Sequence, residues 1–465
     1  MGGSTQHPVT GQSASGQSAS TRPATTPSTG PRSADARSAT ARPRGGLRWM
    51  ISAGLLLPVT FVMSMDRAAM TAAAPVIQHE LGFSVTQMSV ILTAFWWAYA
   101  LFQVPGGLVT RRFGPRRTLA VAGLWWSVFT FVTPYGVVFL GFVVIRAVLG
   151  IGQAADWPAS VFTLHRWFPH GEQSRANSLL LCGLYLGNVV GTPLVVWIMT
   201  SFGWHQVFHI FALVGAVLAV LWWWQVRDEP RQHPRISAAE VDYIESGRVV
   251  DEVERAAVLP WRTFFGSSQF WAIGAQYACL LLIQGFFATW LPTYLVEARG
   301  LSLKQMGWLG ALPWVAMLVG VFGIGALNDR LVRRWPGRVR LAAAGYLSAA
   351  VFLVLGALTP SVPLMMLCLC LSLGSVGMVQ VQVWAACQDL GGEHSATVTG
   401  WTNLCGNLMS AAGPLFTGIL VGIGGDWLLA LMILAVAGVL GGGCWFFVHP
   451  ERPLRSHPTS AISAP

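Results

Sequence analysis

The chain is short of charge. Only 10% of its 465 residues are Asp, Glu, Lys or Arg, against about 25% in a soluble protein of ordinary composition. Lys304 is the single lysine, so the formal net charge of +10 is carried almost wholly by arginine. The seven cysteines all fall in apolar stretches, and none is spaced with histidines as a zinc ligand. Neither a disulfide framework nor a metal centre is implied. No nucleophile–base spacing stands out, which sets an enzyme aside, and no cofactor motif or signalling domain is recognisable. Residues 1–47 are rich in Ser, Thr, Gly, Pro, Ala and Gln without apolar periodicity, and read as a disordered tail. No apolar core precedes Trp49, so they do not read as a signal peptide.

Apolar residues, in contrast, make up 54% of the chain, and the mean hydropathy is +0.55. Twelve runs approach the ~20 residues that a membrane-spanning helix needs. They cover 49–74, 85–109, 118–134, 137–163, 175–200 and 204–226, then 268–295, 304–328, 340–359, 362–388, 395–422 and 426–448. The fold class expected is an all-α integral membrane protein. Two six-helix bundles, 48–226 and 267–448, are joined by a polar linker, 227–266, and followed by a tail, 449–465. Ser237 and Glu240 in the linker have capping-box spacing.

The positive charge lies in alternate loops. With the N-terminus inside, 25 of the 29 basic residues fall in inside segments and only Arg299 and Lys304 in outside ones. Such asymmetry puts both termini in the cytoplasm and argues against nucleic acid as the partner of the basic charge.

Arg67 and Arg146 are the two remaining basic residues, and both sit within spans beside few acids. Ionisable groups near the bilayer centre cost roughly 2.5–3.5 kcal/mol each on insertion scales, and chains keep them where they act. At a rise of about 1.5 Å per residue, Asp66 and Arg67 lie roughly 8 Å to the outer side of the midplane and Arg146 about 6 Å. The common depth suggests an Asp66–Arg146 ion pair, leaving Arg67 for a carboxylate, which its fork binds bidentately. A purely structural charge cluster is the alternative. Gln153 lies two turns past Arg146 on the same face, and Asp156 about 80° round the helix. A buried Asp156 could carry a proton; next to Pro158 it could equally be structural.

The stretch after span 2, with Gly107, Arg111, Arg112, Gly114, Arg116 and Arg117, has a weak counterpart after span 8 in Gly325, Asp329, Arg330, Arg333 and Arg334. The pattern resembles the loop signature of the major facilitator superfamily, with Arg111 standing where that family has an acid. Further stretches are similar to its anion:cation symporter branch, which includes sugar-acid permeases, sialin and vesicular glutamate transporters. They are Asp66-Arg67-Ala68, Trp97 to Gly107, Arg146 to Pro158, Thr289 to Tyr294, and Asn403 to Asn407.

The resemblance implies a monomeric secondary transporter of the cytoplasmic membrane that moves a small organic anion by alternating access, with protons as coupling ion and no cofactor. It implies that Arg67, Tyr99, Asn403 and Gln153 face the solute, and that Asp66 and Arg146 form the coupling charge pair. Gly107, Arg112, Gly114, Asp329 and Arg330 would belong to the gate. The family's proton-carrying Glu is replaced by Gln153, which cannot titrate. Coupling would then fall to Asp66 or Asp156, or be absent. Trp97 and Trp384 are candidates for an aromatic wall. The glycines at 183, 187 and 191, and at 406 and 413, form ridges suited either to rocking of the bundles or to static packing.

Overall fold

A computed structural model describes Gly2 and residues 46–247, 264–323, 337–391, 395–424 and 426–449. The terminal tails, the centre of the linker and the second basic loop, with Asp329 and Arg330, lie outside the described residues. Each expected span is helical over most of its described residues. We number them α1 (Leu47–Leu81), α2 (Val85–Phe113), α3 (Pro115–Val132), α4 (Phe139–Trp167), α5 (His170–Phe202), α6 (Trp204–Gln225), α7 (Ser268–Thr289), α8 (Leu303–Gly323), α9 (Arg338–Leu358), α10 (Val362–Gly391), α11 (Ser395–Gly424) and α12 (Trp427–Cys444). Among the described residues, eleven of them are long and apolar enough to cross a membrane. The twelfth, α3, is 18 residues long and opens on Arg116 and Arg117.

The helix ends follow local chemistry. Gly82 closes α1 with φ 67°, a left-handed conformation that a Cβ disfavours. Two residues on, Ser84 and Gln87 form a reciprocal capping box that starts α2. Ser302 and Gln305 do the same for α8.

Helix α4 departs from the expected single span. It runs helically to Gln153, opens at Ala154 and Ala155, and resumes from Asp156 to Trp167. Pro158 is the cause: it has no N–H to give, and its ring crowds the carbonyl four residues back, at Ala154. Gln153 and Asp156 therefore lie on either side of a break.

The glycine ridges pack inside each set of six helices. Gly183, Gly187 and Gly191 of α5 lie against Thr60, Phe61 and Met65 of α1, and a Cβ on Gly187 would stand 2.5 Å from the Phe61 carbonyl. Gly406 and Gly413 of α11 meet Tyr277 and Leu282 of α7. Of the two readings, these ridges therefore fit the static one. The close contacts between the two sets use other residues. Gly418 and Gly422 of α11 meet Ser89 and Thr86 of α2, and Gly307 and Gly310 of α8 meet Val196 and Thr192 of α5.

The linker is tied to the first set. Ser237 Oγ caps the helix Ala238–Ser246 by accepting from Glu240 N at 3.2 Å. The Glu240 carboxylate does not complete a capping box. It accepts from Leu47 N at 3.0 Å and pairs with Arg48 at 2.9 Å, while Glu172 holds Arg48 Nε at 2.9 Å. All three charged groups are buried. Asp228 accepts from Arg116 N at 2.9 Å, beside Gly114, so an acid from the linker meets the basic turn where Arg111 stands in place of one.

Candidate solute site

A central cavity of about 110 Å³ lies between the two sets of helices. Helix α1 lines it with Ser64, Arg67, Ala68 and Thr71, α2 with Leu92, Phe95 and Trp96, and α4 with Arg146. Leu184, Tyr185 and Asn188 of α5 complete the first set's side, and Gln284, Ala288 and Thr289 of α7 and Trp314 of α8 come from the second set. Among the described residues, two guanidiniums reach this wall and no acid does.

Both cations rest on aromatic faces. The Arg67 guanidinium stands 4.7 Å from the Tyr99 ring centre, 5.2 Å from Trp96 and 5.3 Å from Phe95. The Arg146 guanidinium lies 4.8 Å from the Phe95 ring centre. Such contacts contribute about 0.5–1 kcal/mol each when exposed and more when desolvated. They orient the cations without neutralising them.

Asp66 is buried behind the cavity. It accepts from Thr130 Oγ1 at 2.9 Å and from Gln153 Nε2 at 3.1 Å. The Gln153 carbonyl accepts from Arg67 Nε at 3.0 Å. Chemistry fixes the amide orientation here, since a guanidinium can only donate and a carboxylate can only accept. The expected direct Asp66–Arg146 ion pair is not formed among the described residues. Thr130, which α3 supplies, and Gln153 occupy both oxygens of the carboxylate. Arg146 Nε is buried without a hydrogen-bond partner, and no oxygen of the described residues accepts from the Nη atoms of Arg67.

A second polar group also lines the cavity. Ser64 Oγ donates to the Leu184 carbonyl at 2.7 Å, and Asn188 Nδ2 donates to Ser64 Oγ at 2.7 Å. The Gly187 approach brings α5 close enough to α1 for these bonds.

Of the residues singled out from the sequence, Arg67 and Arg146 line the cavity, and Asp66, Gln153 and Tyr99 stand directly behind Arg67. Asn403 and Trp384 do not line it; Trp384 packs on Tyr277 at 5.1 Å. Asn407, one turn beyond Asn403, instead donates to Gln103 Oε1 at 2.7 Å and joins α11 to α2. Trp96 faces the cavity while Trp97 is 38% exposed, the result of a helical step of about 100°. Thr71, Thr289 and Trp314 were not legible as wall residues. Nothing in their local spacing marks them, because the opposing helix makes the cavity.

Contacts between the two sets lie on both sides of the cavity. Towards the end opposite the termini, Gln78 donates to Glu297 at 3.2 Å and the Ser89–Gly418 contact is tight. On the terminus-bearing side, Tyr185 donates to Gln380 at 2.7 Å and Asn407 to Gln103.

Twelve helices in two sets around a central charged cavity define a polytopic membrane transporter. A profile of the Major Facilitator Superfamily matches residues 56–414, and the chain belongs to that superfamily, whose members are transporters and not enzymes. It is 29% identical over 402 residues to a probable sulfoacetate transporter of Cupriavidus necator, covering 85% of this chain and 93% of that one. A probable galactarate/D-glucarate transporter of Bacillus subtilis is 30% identical over 419 residues, covering 85% and 90%. A D-galactonate transporter of Escherichia coli is 28% identical over 412 residues, covering 85% and 94%. Among solved structures, a bacterial homologue of the human lysosomal transporter Spinster, inward-facing and unoccupied, superposes with a TM-score of 0.67 at 17% identity over 87% of this chain and 95% of that one. The D-xylose–proton symporter gives 0.66 at 16%, covering 87% and 99%.

Proposed function

We propose that the protein carries a small organic anion, a carboxylate or sugar acid, across the cytoplasmic membrane by alternating access coupled to protons. The observation that carries this reading is the cavity wall with two guanidiniums and no acid. A bound anion would supply the missing charge, with Arg67 gripping it through its Nη atoms, one of which donates only to the weak Met63 thioether acceptor at 3.8 Å, and Arg146 adding field. Ser64, Asn188 and Gln284 offer hydroxyl and amide groups to the rest of the solute. The relatives named for sulfoacetate, D-glucarate and D-galactonate support an acidic solute. In this reading residues 48–226 and 267–448 rock as two bundles in one chain, with both termini cytoplasmic and the linker anchored to the first bundle.

A second reading is favoured by one residue. Gln153 holds the space between Arg67 and Asp66 and cannot take a proton. An exchanger or efflux carrier without proton coupling would need no more than this.

Thermal unfolding of the purified protein with sulfoacetate, D-glucarate and D-galactonate, against neutral and cationic analogues, tests the anion. A ligand at 100 times its Kd adds about 2.7 kcal/mol of stability. Stabilisation by the acids alone, lost in Arg67→Ala, is the expected result. Stabilisation by neutral or cationic compounds alone would overturn it.

A further inference from the structure

Asp156 is a fully buried acid in the middle of the helices that the site above leaves unused. It opens the second segment of α4, and its residue exposure is 0%. Neither carboxyl oxygen has a hydrogen-bond partner. Ser160, one helical turn along the same segment, is also fully buried with an unpartnered hydroxyl. Residues four apart on a helix face each other, so an acid and a hydroxyl with open valences share one dry spot. Thr163 continues the buried polar face towards the terminus-bearing end.

An ionised carboxylate left without partners in such a place costs several kcal/mol, and the neutral acid far less. Arg67, from α1, reaches the other side of the break: its Nε donates at 3.0 Å to Gln153, three residues before Asp156. The ionisable residues on the helices packed against this segment sit towards helix ends: Arg111 and Arg112 of α2, Arg116 and Arg117 of α3, Glu172 and Arg175 of α5, and His165 and Arg166 of the segment itself. The segment begins where it does because of the Pro158 break, and α2 comes against the break directly: a Cβ on Gly106 would lie 2.8 Å from Ala155 Cα.

We propose that Asp156 is the proton-binding site that couples transport to a proton gradient, in place of position 153. With the proton on Asp156, Arg67 faces the cavity uncompensated from this side, and an anion binds there. When the proton leaves to water, the Asp156 carboxylate competes for Arg67 and the anion is released. One proton moves with one anion, and no other reactant takes part. The inference rests on the anion-transport reading above.

The test uses the full chain in proteoliposomes with radiolabelled D-galactonate and sulfoacetate as probes, beside infrared pH titration of the same preparations. A pH difference of one unit can sustain about a tenfold anion gradient at one proton per anion. The wild type is expected to build such a gradient. Asp156→Asn is expected only to equalise the anion across the membrane, at whatever rate, and to lack the acid carbonyl stretch that titrates in the wild type. Asp156→Glu shifts that stretch and restores accumulation; if the Asn variant does not fold, this shift decides the point. Accumulation by Asp156→Asn, an unchanged carbonyl stretch, or a wild type that equilibrates anion but ignores the pH gradient would each overturn the assignment. A wild type that moves neither anion even downhill would instead sink the anion reading, and the infrared comparison would still decide whether Asp156 holds the proton.

Discussion

Asp66 and Arg67 are neighbours in sequence, and their side chains are joined through the amide of Gln153, which donates to the first at 3.1 Å and accepts from the second at 3.0 Å. The amide passes charge complementarity between the two without joining them in an ion pair. Arg67 thus stays oriented through Nε, while no oxygen of the described residues accepts from its Nη atoms.

Replacing the amide tests its role. Gln153→Leu strands Nε of Arg67 and one oxygen of Asp66, at a cost of about 1–3 kcal/mol for the unsatisfied groups. Thermal unfolding should register the loss, and anion uptake should fall with it. Gln153→Glu puts a second carboxyl beside Asp66, where the two cannot easily both ionise. Uptake measured across pH should then gain a titration that the wild type lacks.

The α1–α5 contact sets the Ser64–Asn188–Leu184 bonds. A methyl at Gly187 would meet the Phe61 carbonyl, so Gly187→Ala forces the helices apart. Overpacking of this kind costs about 1–3 kcal/mol. The expected result is a lower unfolding temperature together with weaker binding of the anion. Wild-type affinity in a destabilised Gly187→Ala protein would show that α5 does not shape the site.

Gly418 lies against Ser89 towards the end opposite the termini. A larger residue there, as in Gly418→Val, should hold that end open. A Ser89→Cys reporter, buried in the closed state, should then react faster with a membrane-impermeant thiol reagent. Equal reactivity with and without the valine would count against a gate at this contact.

The linker carries a pH dependence of its own. His233 Nδ1 accepts from Arg235 N at 3.2 Å, so the proton sits on Nε2, which meets the Gln225 carbonyl at 2.9 Å. Burial pushes the His233 pKa below the ordinary value, and the nearby Arg227 and Arg235 add to the effect. The neutral ring is the folded form, so its stabilisation is complete above about pH 6.5 and is lost as pH falls through the lower folded value. Thermal unfolding should weaken on acidification, and His233→Gln should flatten that slope.

The sequence determined the helices and their number, because apolar runs of about 20 residues leave a membrane chain no other way to satisfy its backbone. It also marked Asp66, Arg67 and Arg146, since charge within an apolar run is visible without any structure. Pairing was decided elsewhere. Depth along two helices placed Asp66 level with Arg146, but α3 brought Thr130 to one carboxylate oxygen and α4 brought Gln153 to the other. Asn403 and Trp384 carried the right chemistry, yet the register of α10 and α11 turned them from the cavity and put Asn407 against Gln103 instead. The glycine ridges were plain in the sequence, and only the packing showed that they join α1 to α5 and α7 to α11. The unpartnered state of Asp156 belongs to tertiary structure as well, because it depends on the break at Ala154 and Ala155 and on what the surrounding helices do not offer it. A chain encodes which groups it owns, while which of them meet is settled only when helices far apart in sequence close around them.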